Sequence, residues 1–403
     1  MQGPCMVIVG GGIAGLACAL ALEAKGCEVV VLERSEEFKE IGAGIQLGPN
    51  GLRMLGHLGL LSAIEQFAVR PDDLVVMDGM TATEVTRIQT GSDFHARFAF
   101  PYTLIHRADL HRVLLEACLR KSRIELRAGI TMTGFDCPSD SLIEIRTSDR
   151  PLKADAMIGA DGIWSQTRAA VVGDGPPLVS GHIAYRAVLP ISEIEQVYRQ
   201  NAMMLWAGPK NHLVQYPLRG GQLFNLVAVF HSDRYVEGWD RQGDPEELAA
   251  RFSGNCETVR RLLAKVDTWR MWVLCDRDPV SEWHRGNVVL VGDAAHPMLQ
   301  YLAQGAGMSL EDALILAQCV AESRTSLSRA FAQFSALRYR RTARCQVMAR
   351  IYGGFYHATG VTRELRNEFL EARSQADSIE SLAWMYDYDP LGEPQMSGAR
   401  AMS

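Results

Sequence analysis

The residues best suited to binding a cofactor occur in two groups that lie far apart along the chain. Gly10, Gly12 and Gly15 have the G-x-G-x-x-G spacing. In it the first glycine permits a tight turn, the second lets backbone approach a pyrophosphate, and the third lets helix and strand pack closely. Glu33 follows where a carboxylate can accept a hydrogen bond from a ribose hydroxyl. Residues 289–293, an apolar run ending in Gly-Asp, suit the same cofactor. Together the groups predict one large dinucleotide, FAD rather than NAD.

A β-α-β unit must position these glycines. Residues 6–9 are a short apolar run typical of a buried parallel strand. The helix that follows, with Ala14 in its first turn, would direct free N–H groups and a positive dipole end at the phosphates. A second strand, 28–32, leads to the acid and then to Arg34. This ordered arrangement is a stronger indication than the glycine triad alone, which also occurs in ordinary turns.

Acid–base chemistry could come from a strand in the second half of the chain. His212 and Tyr216 share one face of an alternating segment, ~13 Å apart, and could bracket a benzene-sized ligand. His212 is the candidate base, because its reference pKa of ~6.5 suits proton exchange near neutral pH. Gln300 could hold a polar group but cannot act as a base. From spacing alone, His212 is more ordinarily a hydrogen-bonded sheet histidine, and Tyr216, Gln300 and Tyr102 could be packing or loop residues.

Composition narrows the class of protein. The chain has 403 residues, of which 47% are hydrophobic, enough for two domains or one domain with a large insertion. The net charge of −6 gives no indication of nucleic-acid binding. Nine scattered cysteines without a C-x-x-C pair predict neither a disulfide framework nor a metal site. No apolar run approaches the ~20 residues of a membrane span. The first strand begins too early for a signal peptide, so we expect a cytoplasmic protein.

The pattern along the chain predicts an α/β protein with a discontinuous domain. A Rossmann-type FAD-binding domain is expected at 1–178, with an inserted, mostly antiparallel sheet for the substrate at 179–269. Residues 270–345 return to the first domain, and 346–403 are C-terminal helices and tail. A cluster of arginines in the last helices is expected on a solvated or interface face: Arg338, Arg340, Arg341, Arg344 and Arg350.

Three motifs in order resemble those of the flavoprotein aromatic hydroxylases, the family of p-hydroxybenzoate and salicylate hydroxylases. They are Gly10-x-Gly12-x-x-Gly15, Gly159-Ala-Asp161-Gly162 and Gly292-Asp293-Ala-Ala-His296-Pro297. The resemblance implies a p-hydroxybenzoate hydroxylase-like fold in which all three motifs hold one FAD. Since no second G-x-G-x-x-G occurs, NADH or NADPH is expected to visit transiently. The implied cofactor-binding residues are Gly10, Gly12, Ala14, Gly15, Glu33, Arg34, Gly44, Gln46, Arg107, Asp161, Asp293, Gly305 and Ala306.

Segments 212–221 and 296–303 more narrowly resemble the gentisate-forming branch, the 3-hydroxybenzoate 6-hydroxylases. This implies that reduced nicotinamide and O2 generate a flavin C4a-hydroperoxide, which hydroxylates 3-hydroxybenzoate para to its hydroxyl. The implied catalytic residues are His212, Gln300 and Tyr216, and the implied substrate-binding residues are Tyr102, His212, Tyr216, Pro297 and Gln300. Salicylate 1-hydroxylase, 6-hydroxynicotinate 3-monooxygenase and a non-catalytic FAD-binding redox protein remain alternatives. The expected partners are a small aromatic acid and O2, with no nucleic acid and no membrane span. The sequence leaves open whether the chain forms a homodimer.

Overall fold

A computed structural model describes residues 3–40, 42–139, 142–232, 241–323 and 325–392. The strands are β1 (Cys5–Val9), β2 (Glu28–Leu32), β3 (Gly44–Leu47), β4 (Asp73–Asp78), β5 (Glu84–Gln89), β6 (Thr103–His106), β7 (Ile124–Arg127), β8 (Met132–Ser139), β9 (Leu142–Thr147), β10 (Leu152–Ala154), β11 (Ala156–Gly159), β12 (Leu178–Pro190), β13 (Ala202–Gly208), β14 (Asn211–Leu218), β15 (Leu223–His231), β16 (Arg241–Gln242), β17 (Arg270–Asp276), β18 (His284–Arg285) and β19 (Val288–Leu290).

The helices are α1 (Ile13–Ala24), α2 (Pro49–His57), α3 (Leu61–Glu65), α4 (Ser92–Phe98), α5 (Arg107–Leu119), α6 (Gln166–Val171), α7 (Pro245–Arg251), α8 (Glu257–Leu263), α9 (Gly305–Glu322), α10 (Leu327–Tyr356), α11 (Gly360–Glu371), α12 (Gln375–Glu380) and α13 (Ala383–Tyr386). Short 3₁₀ turns lie at Gly292–Ala294 and Gln300–Leu302. The opening unit β1-α1-β2 and the return strand β19 confirm the order of elements predicted for the cofactor-binding half.

The cofactor-binding half is organised around a six-stranded sheet in the order β18-β19-β11-β1-β2-β7. Its strands β19 to β7 are parallel, and apolar residues of β1 and β2 are buried on both faces, as parallel strands require. One face packs on α1, α5 and α9, and the other on the three-stranded sheet β10-β9-β8. This arrangement brings the ends of β1, β2 and β19 to one edge, where both cofactor motifs begin.

The second half is an eight-stranded sheet in the order β16-β17-β12-β15-β14-β13-β4-β5. Neighbouring strands are antiparallel except β4 and β13. One face packs on α7 and α8, and the other faces the first half. Most of this sheet lies in the predicted insertion at 179–269, while β4, β5 and β17 come from outside that range. The domain boundaries themselves stay a prediction.

A buried ionic network joins α9 to α10. Arg338 is fully buried; its Nη1 donates to Glu311 at 2.6 Å and its Nε to Asp312 at 2.8 Å. Arg341 also pairs with Glu311. The prediction of a solvated or interface arginine face is therefore wrong for these two residues, although Arg340 and Arg344 are exposed. The prediction failed because the acidic partners lie on α9. The spacing of residues along α10 does not indicate that α9 packs against it.

The end of the chain is helical, as expected, through α10 to α13. Only part of the predicted polar tail, 386–392, falls among the described residues. Among the described residues, no helix combines the length and apolar character that crossing a membrane demands.

Candidate active site

A continuous cavity of about 730 Å³ runs between the two halves of the described structure. Its volume falls in the range of small-molecule and cofactor sites, about 300–1,000 Å³. At one end it is lined by the glycine-rich turn after β1, and at the other by side chains of β12 and β14. The predicted site residues among its lining are Gly10, Gly12, Ala14, Glu33, Arg34, Gly44, Gln46, Tyr102, Arg107, Asp161, His212, Tyr216, Asp293, Gln300, Gly305 and Ala306.

The three glycines of the first motif each have a distinct structural reason. Gly10 has φ +110°, and a Cβ there would meet the carbonyl oxygen of Ala160 at 2.3 Å. A Cβ at Gly15 would lie 1.9 Å from the Gly10 oxygen, so this residue is a packing position outside the cavity lining. At Gly12 the nearest atom to such a Cβ is Glu40 Oε1 at 3.5 Å, which leaves open space for a ligand. The structure thus confirms the predicted roles: Gly10 forms the turn, Gly12 leaves room for a ligand to approach, and Gly15 allows close packing.

The second motif lies directly against the first. Gly292 has φ +57°, and a Cβ on it would come within 2.8 Å of the Ala14 side chain. Behind this turn, Asp312 accepts hydrogen bonds from the Gly292 N–H at 3.0 Å and from His296 Nε2 at 2.5 Å. His296 therefore holds the loop in place. The buried network thereby supports the position of Asp293 at the cavity wall.

Asp293 and Arg107 face the middle of the cavity. Asp293 exposes its side chain to the cavity; desolvation by the surrounding protein raises its pKa, and the positive charge of Arg107 partly opposes that rise. Arg107 pairs with Glu40 at 3.0 Å through Nη2, while its buried Nε has no protein partner among the described residues. An unsatisfied buried donor costs about 1–3 kcal/mol. A polar ligand group at this point would remove that cost.

Two predicted cofactor residues are already occupied by backbone or helix contacts. Glu33 accepts hydrogen bonds from the N–H groups of Gly11 and Ser35 at 2.8 and 2.9 Å. Asp161 accepts from the Ser165 hydroxyl at 2.5 Å and from the Thr167 N–H at 3.0 Å, and so ties β11 to the start of α6. Both side chains line the cavity. Their direct roles toward a cofactor stay predictions.

At the other end, alternate residues of β14 line the cavity: His212, Val214 and Tyr216. His212 and Tyr216 are both buried, so the shared face expected from the alternation is present. Burial lowers the pKa of His212 to about 3, and the neighbouring His182 adds to the effect. This lowered pKa departs from the ordinary value of ~6.5 on which His212 was predicted as the base, and that role stays a prediction.

Gln300 lies opposite this strand and is held by an arginine that the sequence argument did not single out. Arg186, on β12, donates to Gln300 Oε1 through Nη2. Gln300 lines the cavity, and its amide N–H₂ is the donor that it can offer to a ligand there. Burial lowers the pKa of Arg186 to about 10, which still leaves it charged at neutral pH. Its buried Nε has no protein partner among the described residues.

Of the remaining predicted residues, Tyr102, Gly44 and Gln46 line the substrate end of the cavity, whereas Pro297 does not. Tyr102 donates to Gln46 Oε1 at 2.5 Å, and a Cβ at Gly44 would meet the Tyr216 ring at 2.4 Å. Gly44 and Gln46 on β3 therefore connect both ends of the cavity. Pro297 lies outside the lining, where its carbonyl accepts from Gln346 at 3.1 Å; the next residues along, from Met298, line the cavity instead.

Comparison with known proteins identifies the family. A family model described as FAD binding domain matches residues 5–334. A 3-hydroxybenzoate 6-hydroxylase from Klebsiella oxytoca is 41% identical over 382 residues, covering 95% of this chain and 96% of its own. The chain belongs to the FAD-dependent aromatic hydroxylases. This flavoprotein is also 33% identical to a 3-amino-4-hydroxybenzoate 2-monooxygenase from Streptomyces platensis, over 96% of this chain and 98% of that one.

Solved structures share the fold of this flavoprotein. HpxO of Klebsiella pneumoniae, solved with FAD and uric acid, superposes with a TM-score of 0.85 at 23% identity, covering 97% of this chain and 99% of that one. A salicylate hydroxylase in a substrate complex superposes with a TM-score of 0.81 at 24% identity, covering 96% of each chain. The predicted p-hydroxybenzoate hydroxylase-like architecture is thereby confirmed.

FAD is the cofactor of this hydroxylase, and the residues at the glycine end fit it. The open approach at Gly12 suits a pyrophosphate, and the unsatisfied Nε of Arg107 suits an acceptor oxygen. Gly305 and Ala306 begin α9, whose positive dipole end would favour negative charge on the flavin ring. A bound FAD would thus fill the open space at Gly12 and accept a hydrogen bond from the unpaired Nε of Arg107.

Proposed function

We propose that this flavoprotein hydroxylates 3-hydroxybenzoate at the carbon para to its hydroxyl, giving gentisate (2,5-dihydroxybenzoate), with O2 and reduced nicotinamide as co-substrates. The observation that carries the proposal is the combination of His212, Gln300 and Arg186 at the end of the cavity away from the glycine-rich turn. A base, an amide donor and a cation are the groups that a phenol bearing a carboxylate would need. Two further 3-hydroxybenzoate 6-hydroxylases, 39% identical over nearly the full chain, support it.

The arginine supplies the charge that an aromatic acid requires. Arg186 is held over the Trp272 ring, 5.2 Å from its centroid, and against Gln300. Its free Nε donor and positive charge suit the carboxylate of the substrate. With the carboxylate held there, the ring hydroxyl would reach toward His212 or Tyr216 on β14.

The base activates the ring. Nε2 of His212 would accept the phenolic proton, because Nδ1 is already hydrogen-bonded to another histidine. Loss of that proton enriches the carbons ortho and para to the oxygen. Gln300 would donate its amide N–H to the oxygen and hold the ring. When bound, FAD supplies the oxygen-transfer chemistry, while the protein residues orient the para carbon and exclude water.

The regiochemistry separates this proposal from its alternatives. The FAD-loaded protein is incubated with NADH, O2 and each monohydroxybenzoate isomer, and products are resolved by chromatography and mass. Gentisate from 3-hydroxybenzoate is the expected main product. 2,3-Dihydroxybenzoate or protocatechuate would overturn the para assignment. Catechol and CO2 from salicylate, with 3-hydroxybenzoate inert, would favour a salicylate 1-hydroxylase. Turnover of 6-hydroxynicotinate alone would favour that alternative, and NADH oxidation unaffected by any phenolic acid would favour a non-catalytic redox protein.

A homodimer stays a prediction. The last long helices expose several large apolar side chains that a second copy could cover: Leu337, Val347, Ile351, Val361, Leu365 and Phe369. Light scattering of the FAD-loaded protein gives the mass of the assembly directly. A mass of one chain across the accessible concentrations would contradict the dimer.

A further inference from the structure

Behind the candidate base lies a cluster of four histidines that the hydroxylase chemistry has not yet used. His212 is its member at the cavity wall, and His182, His231 and His357 lie behind it, away from the flavin end. Neighbouring rings stand 4.3 to 5.0 Å apart between centroids. We refer to these four residues as the histidine cluster.

Two hydrogen bonds connect three members of the cluster in series. His212 Nδ1 lies 2.7 Å from His357 Nε2, and His357 Nδ1 lies 3.0 Å from His231 Nε2. Each imidazole can accept a proton on one nitrogen and release one from the other. The series therefore forms a continuous path for a proton. It begins at the buried His212 and ends at the half-buried His231.

The fold holds these rings in register. His231 is directly opposite His182 across the β12–β15 pair. His357 caps α10, and its carbonyl accepts a hydrogen bond from the Lys210 N–H at 3.1 Å, just before β14. The Lys210 carbonyl in turn accepts from the His231 N–H at 3.0 Å. One backbone residue thus fixes both His357 and His231 relative to the strand that carries His212.

We propose that His357 and His231 are a proton relay, which carries the phenolic proton from His212 out of the substrate end of the cavity. This rests on the proposed function. The phenol O–H bond breaks as its proton joins His212 Nε2, and the Nδ1 proton of His212 passes to His357 Nε2. As His357 gains this proton, its Nδ1 proton passes to His231 Nε2 in the same shift, and His231 releases a proton at the half-buried end. No electrons or further reactants are needed.

The electrostatics favour a relay. Burial lowers the pKa of His212 to about 3 and also lowers that of His357, while His182 falls to about 4. A proton left on His212 would therefore be strongly disfavoured. The other groups around His357 do not offset this: the positive charge of Arg366 opposes its protonation, and the rings of Tyr301 and Tyr356 are neutral. Passing the proton along the hydrogen-bonded series would spare His212 this cost.

Proton release on substrate binding measures the relay directly. The oxidised, FAD-loaded enzyme is mixed with 3-hydroxybenzoate in weak buffer containing a pH-indicator dye, and release is followed by stopped flow. The dissociation constant is measured separately by the change in flavin absorbance. In His357→Phe the release rate is expected to fall by at least about tenfold, toward the 10²–10⁴-fold scale of lost acid–base groups. Flavin content and substrate affinity should stay unchanged.

Three companion variants distinguish a relay from a packing role. His231→Gln keeps an acceptor for His357 but cannot pass the proton on, so proton release should slow in this variant as well. His182→Asn keeps an acceptor for the Tyr301 hydroxyl, which lies 2.5 Å from His182 Nδ1, and serves as the matched control with parent-like release. In His357→Ala, added imidazole should restore the release rate.

The opposite outcomes are distinct. Parent-like proton release in both His357 variants, with 3-hydroxybenzoate still hydroxylated, would overturn the relay and leave the proposed function intact. One equivalent of a bound transition metal in the parent enzyme would also overturn it, because His182, His231 and His357 would then be metal ligands. Failure of the parent to hydroxylate 3-hydroxybenzoate would instead contradict the proposed function.

Discussion

The two ends of the cavity are built by different means. The cofactor end uses backbone turns and residues that are close in sequence, such as the glycines after β1 and the Gly292–Asp293 turn, whose would-be Cβ atoms meet neighbouring backbone or side chains. The substrate end uses single side chains from separate elements: Arg186 on β12, His212 on β14, Gln300 on a 3₁₀ turn and His357 at the end of α10. Cofactor binding therefore follows from local motifs, and substrate chemistry follows from tertiary packing.

The difference predicts separable losses when each end is changed. Substitutions at the substrate end should affect hydroxylation while FAD stays bound. Substitutions at the cofactor end should affect FAD while the preference among aromatic acids is retained. A variant that altered both properties together would show that the two ends are coupled more tightly than their separate construction suggests.

The largest effect is expected at the base. His212→Asn can place its amide N–H near the position of Nδ1 and so keep the hydrogen bond donated to His357 Nε2, but it removes Nε2. Without an acceptor for the phenolic proton, hydroxylation should fall about 10²–10⁴-fold. Product formed per NADH consumed, together with FAD content, measures the effect. Gln215→Met, on the opposite face of β14, is the matched control and should retain product yield. Near-normal hydroxylation in His212→Asn would reduce this residue to a sheet histidine.

Arg186 tests whether the substrate end recognises charge. Arg186→Met removes the cation while keeping a long side chain, and affinity for 3-hydroxybenzoate should fall about 10–150-fold, the cost of a charged hydrogen bond. Flavin absorbance titration gives the dissociation constants. The control is the ligand 3-hydroxybenzamide, which lacks the negative charge and should bind variant and parent more equally. An equal loss for both ligands would indicate that Arg186 acts by positioning Gln300 and not by binding a carboxylate.

Asp293 tests the cofactor end. Asp293→Ala removes a polar contact assigned to FAD, and FAD affinity should weaken by about 5–150-fold, corresponding to about 1–3 kcal/mol. Fluorescence of released FAD during dilution measures the loss. At saturating FAD the ratio of rates with two hydroxybenzoates should equal that of the parent. Glu33→Ala should behave in the same way from the adenosine end, and unchanged FAD retention in both would show that the backbone turns alone hold the cofactor.

The cofactor end could be predicted from the sequence far better than the substrate end. The β-α-β unit and the Gly-Asp turn were predictable, because glycine spacing and apolar runs report on backbone conformation nearby. Arg186 was missed because nothing in the sequence around an arginine of an alternating strand indicates a contact with the distant loop that contains Gln300. His357 was missed because its partners lie on β14 and β15. The misplacement of Arg338 on a solvated face has the same cause, since Glu311 and Asp312 meet it only after α9 and α10 pack.

The smallest effect concerns stability, and two histidines at the substrate end contribute to it. In the unfolded chain histidine has a pKa of ~6.5, whereas burial lowers that of His212 to about 3 and that of His182 to about 4 in the folded chain. Between these values the unfolded state binds protons that the folded state does not, so stability should fall as the pH drops from ~6.5 toward ~4. His212→Asn removes one such group and should lessen the slope by at most about 1.4 kcal/mol per pH unit. Urea unfolding at several pH values measures the slope. The control is His95→Gln, at an exposed position, which should keep the parent's slope of stability against pH. An unchanged slope in His212→Asn would mean that His212 is protonated as readily in the folded chain as in the unfolded one.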